Sequence, residues 1–163
     1  MRRNSETSNR ASRPFKHVEY RFAGGPKPTT TLRDSVRMSR IKRTSTSAEV
    51  LFRKAARAAG VRLAAPRHAL PGSPDLVNLS CHLAVFVHGC FWHAHDGCIR
   101  ATVPKRNRSF WIAKFHRNRE RDHAVVLELR RLGFRVVTVW ECEINDPVLL
   151  ALRTRSVGRL IAS

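Results

Sequence analysis

The stretch from Phe134 to Trp140, FRVVTVW, limits the fold more than any other part of the 163-residue sequence. It is strongly apolar and alternates only loosely, which suits a strand buried within a sheet rather than one with a wet face. Such a sheet needs helices packed on it, and the flanking sequence offers them. A helical pattern runs from about Ser109 to Leu132, with Phe110, Ile112, Phe115, Val125, Leu129 and Leu132 as apolar positions and Gly133 as its stop. Thr46-Ser47-Ala48-Glu49 forms a capping box ahead of the helix formers Ala48 to Ala59, which end at Gly60. Asp75 to Leu79 and Leu83 to Val87 are β-prone runs around the turn-like Asn78 to His82, which predicts a hairpin. Asp146-Pro147 reads as a cap and first-turn proline for a final short helix. No internal repeat is present. The order predicts a small mixed α/β domain over residues 29–163.

Charge decides the class of partner. Lys and Arg number 31 against 12 acidic residues, a formal charge of +19. That excess exceeds what solubility needs and points to a polyanion such as nucleic acid. A membrane surface competes, but no apolar run approaches the roughly 20 residues of a spanning helix. The basic N-terminus also lacks the apolar core of a secretory signal, so the expectation is a cytoplasmic, nucleoid-associated protein with no membrane partner. Residues 1–43 net +9 and residues 99–121 net +7. Residues 1–28 are rich in Arg, Ser, Pro and Gly without apolar periodicity, the composition of a disordered basic tail. Such a tail serves equally as a DNA-binding arm or as a solvated extension.

Chemistry concentrates between Pro71 and Cys98. In PGSPDLV the prolines and glycine force an irregular approach, so Asp75 emerges at the start of a strand. The partner strand ends in VFVHGCFWHAHDGC, and a hairpin of this length brings His88 to the same sheet end as Asp75, with His93 a short loop away. A carboxylate with histidines suits metal-assisted phosphodiester hydrolysis. Magnesium takes hard oxygen ligands and keeps several waters. A neighbouring imidazole can accept a proton from attacking water at physiological pH.

A second metal site follows from spacing. His95 and Cys98 lie three apart and Cys142 follows the predicted strand, which gives three of the four ligands that a structural zinc site requires. Spacing alone leaves the fourth open among Asp122, Asp96 and His123. Cys90 reads as a small packing residue, and Cys81 has no evident partner. Phe91 and Trp92 occupy a loop poorly suited to burying large rings, and Trp111 stands among Lys105, Arg106, Arg108 and Lys114. Trp140, within the apolar strand, is assigned to the core.

The strings PGSPD, VFVHGCFWHAHDGC, KRNRSFW, ERD and VVTVWEC, in this order and spacing, resemble the very short patch repair (Vsr) endonucleases. The similarity covers about residues 28 to 144. It implies a restriction-endonuclease-like fold and nicking 5′ of the thymine in a T:G mismatch, the lesion left when 5-methylcytosine deaminates. It further implies Asp75 as the magnesium carboxylate, with Val87 lending its backbone carbonyl. His93 would be the general base, and His88 and Glu49 would bind metal-held waters. Asp122 would be the fourth zinc ligand beside His95, Cys98 and Cys142. Phe91, Trp92 and Trp111 would form a wedge entering the duplex, with Met38 and Lys114 near the mismatch. Two departures stand out. The wider nuclease fold usually carries an acidic-x-Lys pair where this chain has Val87 and His88, and Ser73 replaces a frequent Arg or Lys. The expected assembly is a monomer on double-stranded DNA, with mismatch-repair proteins as candidate partners. A zinc-stabilised DNA-binding module, or a restriction-type nuclease indifferent to mismatches, would share much of this pattern.

Overall fold

The structure is a computed structural model that describes Pro28, residues 46–66 and residues 70–162. The expected basic tail and Met38 lie outside the described residues. Helix α1 (Ser47–Ala58) starts at Thr46, whose side chain accepts the Glu49 amide at 3.3 Å and donates its hydroxyl to Glu49 Oε1 at 2.9 Å. Strand β1 (Leu76–Asn78) is followed by β2 (Leu83–His88), then the long helix α2 (Arg108–Arg131) and β3 (Arg135–Trp140). A four-residue helix, α3 (Glu141–Ile144), leads into α4 (Pro147–Ala162). Asp146 Oδ1 caps α4 by accepting the amides of Val148 and Leu149 at 2.9 and 3.0 Å.

The sheet order is β1-β2-β3, with β1 antiparallel and β3 parallel to the central β2. This small mixed α/β architecture fits the restriction-endonuclease-like fold. Alternation along β2 sends Leu83 and Val85 into one core with Phe52, Ala56, Val139, Ile144 and Val157 from α1, β3, α3 and α4. It sends Ala84 and Phe86 to the other side, onto Val125 and Leu129 of α2. The strand covered on both faces is therefore β2. β3 lies at the sheet edge among the described residues and is half-buried except at Val139, so its apolar run overstates its burial. On α2, Phe115, Val125 and Leu129 are buried as expected, whereas Ile112 and, just past the helix end, Leu132 are exposed.

The last helix is longer than its sequence suggests. It carries Gly158, a poor helix residue in isolation. A Cβ at that position would meet Val61 at 3.0 Å, so glycine permits α4 to approach the chain after α1 closely. Gly72 serves the irregular turn before β1 in the same way. It has φ +68, and a side chain there would collide with Val125 of α2. Among the described residues no helix is long and apolar enough to cross a membrane.

Candidate active site and metal centre

Asp75 directly precedes β1. Its amide donates to Val85 O at 3.1 Å, which continues the ladder one residue beyond the strand. Its Oδ2 accepts the Val87 amide at 2.7 Å, so the carboxylate is fixed across the end of β2. Burial, opposed by the Val87 hydrogen bond and reinforced by the nearby Glu49 charge, pushes the Asp75 carboxyl up to about 6. Asp75 and Glu49 line one open cleft of about 250 Å³ together with Arg53, Ser73 and Pro74. Glu49 thus accepts the hydroxyl of the N-cap residue Thr46 and also lines the cleft. Two carboxylates at one open cleft, the Glu49 charge raising the Asp75 carboxyl, are donors of the hard-oxygen kind that a divalent cation takes.

His88 ends β2, and the loop that follows turns His93 back over it. Their rings stack at 3.7 Å and 10°. Burial, with the His93 charge, lowers the His88 pKa to about 4, so His88 is neutral at physiological pH. His93 Nδ1 lies 2.5 Å from Asp122 Oδ2. Burial works to raise the Asp122 carboxyl, but hydrogen bonding and charge from His93, with His88 and Arg121, hold it below the usual carboxylate range. An ionised carboxylate can only accept, so Nδ1 donates and Nε2 is left as the acceptor of the imidazole. Three residues of α2 hold this loop. Asn118 donates to Trp92 O at 2.6 Å, Arg119 to Ala94 O at 2.6 Å and Asp96 Oδ1 at 2.8 Å, and Asp122 takes His93. Positions 118 and 122 are one helical turn apart and so share a face. Asn118 and Arg119 were not singled out from the sequence. Their polarity on a helix already read as basic gave no signal until the facing loop was known.

Asp122 is therefore placed with His88 and His93, and not with the cysteines as the resemblance implied. The fourth member of the soft cluster is Cys90, expected only to pack. Cys90, His95, Cys98 and Cys142 place one donor atom each within 4.8 Å of one another. The turn after β2 brings His95 N onto Cys90 O at 3.0 Å, and the Cys142 amide donates to Cys90 Sγ at 3.3 Å. His95 Nδ1 is 3.7 Å from Cys90 Sγ and 3.4 Å from Cys142 Sγ. Tetrahedral coordination with ordinary metal–sulfur and metal–nitrogen lengths puts such atoms about 3.6 Å apart, so the donor set fits a closed four-ligand site. Burial pushes the Cys90 thiol up to about 12 and raises Cys142, while the Arg100 amide lowers Cys98.

The wedge candidates also meet. Phe91 contacts Trp92 and Trp111 edge-on, each at 5.1 Å, and is rooted on buried Phe115 at 5.3 Å. All three are half-buried rather than core residues, and Lys114 of α2 is half-buried close by in sequence. Trp140 is not simply a core residue. It is half-buried, stacks on His95 at 4.0 Å and 7°, and meets His88 at 5.4 Å and 74°.

A strand-end carboxylate, a second carboxylate across a cleft and an Asp-held imidazole, all on a strongly basic chain, are the parts of a nuclease. Comparison with known proteins narrows the class. Residues 29–100 match the family described as DNA mismatch endonuclease Vsr. A type II nicking enzyme of Neisseria meningitidis is 37% identical over 132 residues, covering 81% of this chain and 94% of the relative. One from Xanthomonas oryzae pv. oryzae is 38% identical over 74% of this chain and 88% of the relative. The DNA mismatch endonuclease Vsr of Escherichia coli is 43% identical over 76 residues, 47% of this chain and 48% of that protein. The chain belongs to the Vsr endonuclease family.

Proposed function

We propose that this chain nicks one strand of double-stranded DNA 5′ of the thymine in a T:G mismatch, and so starts repair of the damage left by 5-methylcytosine deamination. The observation that carries the reading is the Asp122–His93–His88 arrangement at the sheet end that also holds Asp75. Asp75 and the Val87 carbonyl would hold magnesium, with Glu49 and His88 binding its waters. When bound, the ion supplies charge stabilisation at the phosphate. His93 Nε2, kept as an acceptor by the Asp122 hydrogen bond at Nδ1, takes the proton of the water that attacks phosphorus. The stack against neutral His88 holds the His93 ring in one plane for that transfer.

Zinc would occupy the four-donor cluster of Cys90, His95, Cys98 and Cys142, tying the catalytic loop to the start of α3. A structural site of this kind contributes folding energy rather than chemistry. Phe91, Trp92 and Trp111 would enter the duplex at the mispaired step, which costs less to unstack than a paired one. The basic sequence around Lys105, Arg106, Arg108 and Lys114 would supply sequence-independent attraction to phosphates. The site works as a monomer on DNA in the bacterial cytoplasm. A cleavage assay on matched and T:G-mismatched duplexes, with and without magnesium, tests the proposal. Magnesium-dependent nicking confined to the mismatched duplex supports it. Binding without cleavage would leave a DNA-binding module, and equal cutting of both duplexes would leave a restriction-type nuclease.

A further inference from the structure

Trp140 ends β3 directly opposite His88 in the parallel register. Its backbone is anchored, because its amide donates to Glu143 Oε2 at 2.9 Å while Glu143 Oε1 pairs with Arg153 of α4. The indole therefore stands at a fixed place on the seam between the two polar clusters. It lies flat against His95 of the Cys/His cluster and presents a T-shaped contact to His88 of the catalytic cluster. His88 stacks in turn on His93, whose Nδ1 is taken by Asp122. A continuous line of four rings thus runs from one cluster to the other.

The physical need for such a wall is specific. Rotation about the second side-chain torsion of histidine is broad, so an imidazole without a hydrogen bond is oriented by what lies against its faces and edges. Within the described residues the ring contacts of His88 are with Phe86, His93 and Trp140. His93 has Asp122 at one atom and His88 on one face. Among the described residues, loss of the Trp140 wall leaves the rings of Phe86 and His93 against His88. A base displaced by about 1 Å loses on the order of 100-fold in rate.

We propose that Trp140 is a positioning residue that registers the His88–His93 stack against the Cys/His cluster. It acts through His88, the catalytic-cluster ring that it contacts. The inference rests on His93 being the base, but the geometry itself can be tested without cleavage.

The test compares wild type, Trp140→Phe and Trp140→Leu at matched metal content and folded fraction. Phenyl keeps an aromatic face yet is too small to reach His95 and His88 equally, whereas Leu removes the face altogether. The expected order of kcat is wild type, then Phe, then Leu, with Leu down about 10-fold or more and KM for mismatched duplex within about 2-fold. The ring-proton NMR signals of His93, which stacks on His88 and not on Trp140, should move in the same order in DNA-free protein. Wild-type kcat in a folded Trp140→Leu variant, or a loss that appears wholly in KM, would overturn the proposal. So would unchanged His93 signals in both variants. If the Leu variant does not fold, Trp140→Phe decides alone, and wild-type kcat with unmoved His93 signals in that variant would refute the role. His93 signals that shift in the variants, beside a wild-type chain that does not nick DNA, would instead count against the nuclease reading and leave the Trp140 role in place.

Discussion

Asp75→Asn should make the metal-free protein more stable while destroying its activity. The carboxyl has an ordinary value of 3.8 and is pushed up to about 6 in the fold, chiefly by burial and also by Glu49. Because the folded value is the higher one, the folded chain retains a proton that the unfolded chain gives up. Stability from this group is greatest below about pH 4 and is lost progressively as pH rises through about 6. Above that, the ionised carboxylate costs the fold about 3 kcal/mol before solvent screening of this half-buried group, and about 1–3 kcal/mol after it. Asparagine keeps an oxygen for the Val87 amide and carries no charge, so it removes the penalty without breaking the hydrogen bond. In a chain of this size that corresponds to a rise in Tm of about 3–10 °C at pH 8. Thermal melts from pH 4 to pH 8 in magnesium-free buffer measure it. The two proteins should converge near pH 4 and diverge as pH rises. Added magnesium should close the gap at pH 8 by stabilising the wild type alone. A variant less stable than wild type at pH 8, or a difference independent of pH, would refute the reasoning.

Three further outcomes are expected. His93→Ala should lower single-turnover nicking by roughly 100-fold or more, and Asp122→Asn by a smaller factor at unchanged DNA affinity, since Asp122 orients the ring and does not move the proton; a few-fold effect at His93 would demote it to packing. Cys90→Ser should lose bound metal and much of the folded state as Cys98→Ser does, while Asp122→Asn keeps full metal content by elemental analysis; the reverse pattern would restore Asp122 as the fourth ligand. Trp111→Ala should reduce the preference for T:G over matched duplex at unchanged salt dependence of binding, and full retention of the preference would assign the ring to packing.

How far the sequence could be read depended on whether geometry was local. The juxtaposition of Asp75 and His88 was legible because a short hairpin leaves little choice about which ends meet. The capping of α1 at Thr46 was legible for the same reason. Cys90 was not, since a buried cysteine beside a glycine looks like filler until the turn after β2 brings it onto His95 and Cys142. The placement of Asp122 depends on which face of α2 meets the loop, and no spacing in sequence specifies that. β3 was read as the buried strand from its apolar content, yet the central position in the sheet belongs to β2. Trp140 was assigned inward by the same content. Its half-burial places its ring between two clusters that are 45 and 52 residues away in sequence, at His95 and His88.

We propose that the Asp75, His88, His93 and Asp122 site breaks one phosphodiester bond beside a mispaired thymine. The most direct measurement uses a duplex with a single T:G pair, labelled on either strand, and maps the products at single-nucleotide resolution in the presence of magnesium. One cut is expected, on the thymine strand, immediately 5′ of the mispaired thymine, and no product from the guanine strand or from the matched duplex. Cleavage of both strands, or a cut whose position does not follow the thymine when the mismatch is moved along the duplex, would contradict it.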